Sequence, residues 1–187
     1  MNKYFRDLQQ SNLINMFLQE HYYPLYSGSF EVVKDKRRQL AGIDVILRDN
    51  NKEIYIDEKS TRYYGEDHIP SYFFELELND KNNNRRVGWF LDENKVTTHY
   101  LITWYKYNRY DEIEAAECLL IERKKVLKLY KEFTEGLIEC EGMKLSNGPY
   151  PECSSLFIVP YPVLKMLAPG SVNFNLRSDG NYVITYW

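Results

Sequence analysis

The sequence predicts a mixed α/β domain in which a central mixed β-sheet is flanked by helices. An amphipathic helical pattern over residues 2–20 precedes several segments in which apolar and polar residues alternate, and a second helical pattern covers residues 123–135. Alternation is typical of a half-buried strand, whereas apolar residues recurring every three to four positions indicate one face of a helix. A chain of 187 residues suits one domain, residues 1–187, with a substantial core.

Composition excludes several classes of protein. The formal net charge is -3, so any surface that binds nucleic acid must be local. No apolar run approaches the roughly 20 residues of a membrane span, and residues 1–10 lack the apolar core of a signal peptide, so we expect a cytoplasmic protein with no membrane partner. The widely spaced Cys118, Cys140 and Cys153 and the scattered histidines predict neither a disulfide framework nor a zinc site.

The first predicted elements are a helix and a strand. The helix over residues 2–20 carries its apolar side chains on one face, and Pro24 prevents a much longer helix. Residues 29–34 alternate well enough to form the first strand. We therefore expect the helix to pack across the sheet.

Residues 39–60 are predicted to form two antiparallel strands joined by a polar turn. Asp44 lies in the apolar run of the first strand, and Asp57 and Lys59 lie near the end of the second. Alternation places Asp57 and Lys59 on one face of the sheet and Glu58 on the other. A carboxylate inside an apolar run is costly unless it is paired or bound to a metal ion. Two acids and a lysine at one sheet edge could hold a divalent cation, with an ammonium beside the reacting water or phosphate.

The acid-x-Lys spacing is not specific by itself. It occurs three times, at Asp57/Lys59, Glu93/Lys95 and Glu122/Lys124. Only the first of these lies in an apolar strand that follows another strand with an embedded acid. The alternative interpretation is a surface hairpin whose charged face is solvated, which is common in antiparallel sheets.

Residues 42–44 (Gly-Ile-Asp), followed after twelve residues by 57–59 (Asp-Glu-Lys), resemble the catalytic hairpin of the PD-(D/E)xK nuclease superfamily. This superfamily has the restriction-endonuclease-like fold and includes Holliday-junction resolvases. The resemblance covers residues 1–80 by motif, and the rest of the chain only by the order of its elements. Ile43 stands where many members have Pro, although others lack it.

The resemblance implies Mg²⁺- or Mn²⁺-dependent endonuclease activity, the hydrolysis of phosphodiester bonds in DNA. By position, Asp44 and Asp57 would bind the metal ion, and the main-chain carbonyl of Glu58 would complete its coordination. Lys59 would orient the attacking water and stabilise charge.

Two further acids become candidates through the resemblance. In many relatives an acid on the first helix approaches the metal site, which makes Glu20 a candidate. Several branches carry an acid on the strand after the catalytic hairpin, which corresponds to Glu75 in the predicted strand 71–78. For both residues the alternative is an ordinary charge facing solvent.

Five residues close to the hairpin are candidates for contacts with nucleic acid. Three of them form a basic turn that leads into the fourth, Gln39, and on to Asp44, and the fifth lies in a loop predicted over residues 61–70. They could contact phosphates, or they could be ordinary exposed connections. The five are Lys36, Arg37, Arg38, Gln39 and Arg62.

The second half of the chain is predicted to complete the sheet. We expect strands over residues 97–107 and 116–121, followed by the helix over 123–135. A C-terminal extension covers residues 141–187. It is predicted to contain short strands at 156–159 and 182–187 and a helical turn at 163–167 between them. Trp89 and Trp104 are predicted to be core aromatics. The basic face of the second helix could follow a phosphate backbone, but a solvated face is the default interpretation.

These observations support three hypotheses. The first is a metal-dependent nuclease acting on DNA, with branched DNA or RNA as further possible partners and with a homodimer as a plausible arrangement for cutting two strands. The second is a catalytically inactive member of the same fold that binds nucleic acid or supports an assembly, which the acidic charge and the missing Pro favour. The third is an unrelated mixed α/β domain.

Overall fold

A computed structural model of the chain describes residues 12–49, 52–62, 71–79, 84–108, 110, 112–147, 153–168 and 170–186. In these residues eleven strands form two sheets. The strands are β1 (Ser29–Val32), β2 (Val45–Asp49), β3 (Lys52–Arg62), β4 (Tyr72–Asn79), β5 (Arg85–Val87), β6 (His99–Tyr107), β7 (Ile113–Glu122), β8 (Lys144–Ser146), β9 (Cys153–Val159), β10 (Val172–Leu176) and β11 (Tyr182–Tyr186).

The larger sheet has seven strands in the order β1-β2-β3-β6-β7-β10-β11. Its neighbouring strands are antiparallel except for β3 and β6, which are parallel. Parallel neighbours require a crossover connection, and this one contains β4 and β5, which belong to the smaller sheet of order β5-β4-β9-β8. The predicted central mixed sheet is thus confirmed, whereas the strand predicted at 71–78 lies in the second sheet.

Four helical segments accompany the sheets. The first, α1, covers residues 12–25 as an α-helix over 12–17, a π-helical turn at Leu18–Tyr22 and a 3₁₀ turn at Tyr23–Leu25. The others are α2 (Lys36–Leu40), α3 (Arg123–Thr134) and α4 (Tyr161–Leu167). None of the described helices is long and apolar enough to cross a membrane.

Some predicted boundaries change. The helix predicted over residues 2–20 is described from residue 12, and it ends at residue 25, beyond the predicted end. Pro24 does not end it earlier, because it lies at the start of the last turn, where its missing N–H is not needed for a hydrogen bond. The basic turn before the hairpin is the short helix α2, capped by the Asp35 carboxylate accepting from Arg38 N–H at 2.9 Å. Strand β3 extends through Arg62, and residues 63–70 of the predicted loop lie outside the described residues.

The central sheet is buried on both faces because each face has its own hydrophobic core. On one face, α1 packs against strand residues that include Leu101 and Tyr105 of β6. On the other face, the smaller sheet, α3 and α4 pack against residues that include Tyr100 and Trp104 of the same strand. Successive residues of the strand predicted over 97–107 thus face the two cores in turn. Helices flank the sheet on both sides.

Two neighbouring phenylalanines test the packing of the second sheet on the central one. Phe74 is 0% exposed and contacts Phe90, while Phe73 on the same strand is 48% exposed. Phe74→Ala should lower the free energy of unfolding by about 3 to 5 kcal/mol because it leaves a cavity in this core. Phe73→Ala should change it by about 1 kcal/mol or less. Urea unfolding followed by circular dichroism measures both, and equal losses would contradict this packing.

Candidate active site

The segment that leads into Asp44 is held by a glycine in a conformation that other residues rarely adopt. Gly42 has a φ of 82°, and its carbonyl accepts a hydrogen bond of 2.7 Å from the Thr97 hydroxyl. A Cβ at this position would lie 2.3 Å from the same hydroxyl oxygen. Glycine is therefore required both by the backbone angle and by the close approach of Thr97.

Asp44 lies directly before β2, not inside it as the sequence predicts, and it is fixed to its neighbours by three hydrogen bonds. Its N–H donates to the Ile56 carbonyl at 2.8 Å, and its carbonyl accepts from Val33 N–H at 2.8 Å. Its carboxylate Oδ2 accepts from Glu58 N–H at 2.9 Å. The side chain thus continues the pairing with β3 beyond the end of the strand, which sets its position relative to Asp57.

Asp57 and Lys59 share one face of β3, as alternation predicts. The Lys59 ammonium lies 2.5 Å from Asp57 Oδ1, and both side chains are largely buried, at 22% and 8% exposure. Asp57 faces the second core. The pKa of Tyr72 in that core is raised mainly by the burial of Tyr72 and then by the charge of Asp57. An ion pair shielded from water in this way interacts more strongly than one on an exposed hairpin.

The half-buried carboxyl group of Asp44 is affected by the charge of Asp57 on the neighbouring strand. Burial is the main cause that raises the pKa of Asp44 to about 6, and the charge of Asp57 raises it further. The hydrogen bond from Glu58 N–H and the charge of Lys59 act in the opposite direction. Carboxyl groups whose pKa is raised by burial and by a neighbouring acid cluster at functional sites.

The oxygen donors near Asp44 are carboxylates and a main-chain carbonyl. Among the described residues, no three His, Cys, Asp or Glu side chains are grouped so that they could hold a metal ion. Mg²⁺ is commonly bound through one or two carboxylates, with water and substrate phosphates as its other ligands. Asp44 and Asp57 supply two carboxylates, and the Glu58 carbonyl lies between Asp57 and Lys59 in the same strand.

The Glu58 side chain has a role that the sequence did not indicate. It points towards the first core, where the Tyr23 hydroxyl donates to its Oε1 at 2.5 Å. Burial is the main cause that raises the pKa of Glu58 to about 7; Asp44 and Asp57 add to this, while the hydrogen bond from Tyr23 lowers it. The only available signal for a buried acid was its place on a strand face shared with Ile54 and Ile56, and nothing in the sequence pairs it with Tyr23.

A cavity of ≈ 180 Å³ lies beside Asp44 and Glu58, between α1 and the sheet. Ile14 and Leu18 of α1 line one side of it, and Gln39 lines it as well. Gln39 also donates from Nε2 to the Val33 carbonyl at 3.0 Å. The predicted contact residue Gln39 thus lies near Asp44 and Glu58.

Glu20 is not part of this group, which corrects the candidate role given to it. Its carboxylate is 65% exposed and lies 3.9 Å from His21 Nε2. Its charge acts on Tyr182, in a strand at the edge of the sheet opposite to β1. Glu20 thus lies near the opposite edge of the sheet, whereas Tyr23 of the same segment reaches the hairpin at Glu58.

Glu75 lies on β4 in the second sheet. Its Oε1 accepts a long hydrogen bond of 3.4 Å from Trp89 N–H. The Trp89 indole in turn lies under the Lys59 ammonium, 4.6 Å from the ring centroid. Glu75 is therefore connected to Asp57 through Trp89 and Lys59.

The basic candidates lie close to the hairpin but differ in their contacts. Lys36 and Arg37 are exposed on α2, and neither has an acidic partner among the described residues. Arg38 is 3.3 Å from Glu31, and Arg62 lies over the Tyr107 ring at 5.4 Å. Lys36 and Arg37, which have no acidic partner in the described part of the chain, are the better candidates for phosphate contacts.

The basic face of α3 is largely neutralised by acids of the same segment. Four lysines form ion pairs with three glutamates at distances between 2.7 and 3.8 Å. This favours the solvated-face interpretation over a surface that follows a phosphate backbone. The pairs are Lys124–Glu122, Lys125–Glu122, Lys128–Glu132 and Lys131–Glu135.

Comparison of the chain with protein-family models, with curated proteins and with solved structures finds no match. The function must therefore be argued from the geometry of these residues.

The raised pKa of Asp44 predicts that its charge opposes folding. When a carboxyl group has a higher pKa in the folded state than in the unfolded state, the protein loses stability as the pH rises from the unfolded-state pKa through the folded-state pKa. Asp44→Asn keeps an oxygen for Glu58 N–H but removes this charge. The variant should be more stable than the wild type at pH 8, by at most about 3 kcal/mol before solvent screening.

Thermal unfolding from pH 3 to pH 8 measures the effect. The difference between the two proteins should disappear below about pH 4, where the carboxyl group is protonated in both states. Glu93→Gln, at an exposed acid in one of the other acid-x-Lys segments, is the control and should show no such pH dependence. Equal stability of Asp44→Asn and the wild type at pH 8 would contradict the burial of a charged pair.

Proposed function

We propose that this chain is a metal-dependent nuclease that hydrolyses phosphodiester bonds in DNA, with Asp44, Asp57 and Lys59 as its catalytic residues. The observation that carries the proposal is the grouping of charges at one place. The half-buried Asp44 carboxylate accepts from Glu58 N–H at 2.9 Å, and the neighbouring Asp57 is buried with the Lys59 ammonium 2.5 Å from its Oδ1. A solvated hairpin would not need to bury these charges. The three residues are those that the resemblance to the PD-(D/E)xK superfamily implies.

Asp44 and Asp57 would hold Mg²⁺ or Mn²⁺ together with the Glu58 carbonyl. A bound ion would supply charge neutralisation at the phosphate and a lowered pKa for the attacking water. Two carboxylates side by side repel each other, so a divalent cation between them removes a cost that the folded protein otherwise bears. The site is therefore expected to bind the ion more tightly than an isolated pair of exposed acids.

Lys59 is suited to act on the water and the phosphate. Its ammonium is fixed beside Asp57 and can donate hydrogen bonds to an attacking water and to a non-bridging phosphate oxygen. A positive charge already in place stabilises the negative charge that develops on the phosphoryl oxygens without reorganisation during the reaction. Water attack forms one P–O bond while the bond to the leaving sugar oxygen breaks.

Duplex DNA would meet the basic residues that precede Asp44. Lys36 and Arg37 are exposed, and α2 ends four residues before Asp44. Cations in this position neutralise backbone phosphates and set the register of the substrate without reading its sequence. This limited basic surface agrees with a chain of net negative charge.

A nuclease assay with single-stranded, duplex and branched DNA, and with RNA, in a series of divalent metals tests the proposal. Asp57→Ala and Lys59→Ala should each lower the cleavage rate by about a hundredfold or more, because each removes a charge that acts in the transition state. Lys124→Ala is the matched control, since it removes a lysine from the same acid-x-Lys spacing at an 82% exposed position. A wild-type protein that cleaves none of these substrates with Mg²⁺ or Mn²⁺ would refute the proposal.

Calorimetric titration with Mn²⁺ tests the metal site separately from catalysis. Binding to the wild type should be lost in Asp44→Asn and in Asp57→Asn, which keep the shape of the side chains. The apparent affinity should rise as the pH increases through about 6, because Asp44 must lose its proton to bind the ion. Absence of binding to the wild type at pH 7.5 would instead favour an inactive module that binds nucleic acid.

A further inference from the structure

Lys59 has a second partner that the resemblance to the nuclease superfamily does not assign. Its ammonium is 2.5 Å from Asp57 Oδ1 and 4.6 Å from the centroid of the Trp89 ring. A cation is attracted to the negative face of an aromatic ring, and tryptophan provides the strongest such attraction. The ammonium is therefore confined between a carboxylate and an indole.

The indole is itself held in place by the second core. The Trp89 ring is half-buried and meets the Tyr100 ring edge to face at 5.4 Å. The centroid of the Phe74 ring lies 5.9 Å from that of the indole, and the main-chain N–H of Trp89 donates to Glu75 Oε1 at 3.4 Å. A ring held from several sides offers a fixed face to Lys59.

Gly88 allows Trp89 to come this close to β4. Gly88 N–H donates to the Leu76 carbonyl at 2.8 Å. A Cβ at Gly88 would lie 2.3 Å from the Glu75 carbonyl oxygen, so a larger residue would push the segment away from the strand. The close contact of the Gly88 backbone with β4 therefore sets the position of the Trp89 indole under the Lys59 ammonium.

We propose that Trp89 is a positioning residue for Lys59, which keeps the ammonium beside Asp57 in one orientation during phosphodiester hydrolysis. The inference rests on the proposed nuclease function. A lysine side chain has a flexible four-carbon stem, and an ammonium that must act in one place loses efficiency when it samples others. In this role Trp89 touches neither the substrate nor the metal ion, and it acts only through Lys59.

The kinetic test compares Trp89→Leu with Trp89→Phe in the DNA cleavage assay. Trp89→Leu should lower kcat by roughly 2- to 30-fold, which is the range that cation–π energies imply, with little change in KM. Trp89→Phe keeps an aromatic face and should recover part of this loss. Phe133→Leu is the control, because it removes a ring from the same core that packs on Phe157 at 5.5 Å; it should lower stability without lowering kcat.

The second readout does not depend on activity. Protons on the ε-carbon of Lys59 that lie over an indole are shifted upfield by the ring current, which NMR detects in protein with labelled lysine. This shift should be present in the wild type, absent in Trp89→Leu and partly kept in Trp89→Phe. Lys59→Met identifies the signal.

The outcomes separate the two proposals. A wild type that cleaves DNA but shows no upfield shift, or a Trp89→Leu variant with an unchanged kcat, would overturn the positioning role and leave the nuclease function standing. A wild type that shows the shift but cleaves nothing would overturn the nuclease function, and with it the catalytic consequence of the Trp89 contact. A shift together with the expected order of kcat values supports both.

Discussion

Asp44 is attached to β3 through its main chain and through its carboxylate at the same time, and this double attachment places a second acid beside Asp57. Two carboxyl groups in a partly buried site repel each other, so folding must supply the energy that keeps them together. The Glu58 N–H and the Lys59 ammonium offset part of the repulsion. A divalent cation would offset much more, which supports the proposed metal site.

Strand β3 can present charges on both faces because it lies between two hydrophobic cores. Asp57 and Lys59 face the core formed with the second sheet, and Glu58 faces the core formed with α1. Two of these charges have a partner from another layer: Trp89 lies beside Lys59, and Tyr23 lies beside Glu58. The fold thus supports the three consecutive residues 57–59 from opposite directions, and movement of either layer would disturb them.

The aromatic residues of the chain show how one composition serves several purposes. Aromatics make up 16% of the sequence, which composition alone could assign to a core or to a surface that stacks on bases. Trp104, Tyr22 and Tyr100 are almost fully buried, so most of the described large rings build the cores. Trp89 is the informative case, since it packs in a core and still offers one face to a charged residue. The prediction that it is a core aromatic is right but incomplete.

The sequence by itself determined the local elements and the local part of the site. Period-two alternation in residues 52–62 placed Asp57 and Lys59 on one face, and the helix over 123–135 and the strand in 97–107 followed from their own patterns. Only the tertiary structure decided which acids of distant segments meet. Glu20 lies near Tyr182, Glu75 reaches the site only through Trp89, and Tyr23 binds Glu58 across 35 positions of the chain. The physical reason is that periodicity reports the direction of a side chain within its own element, whereas contacts between elements depend on strand order and layer packing, which no local pattern encodes.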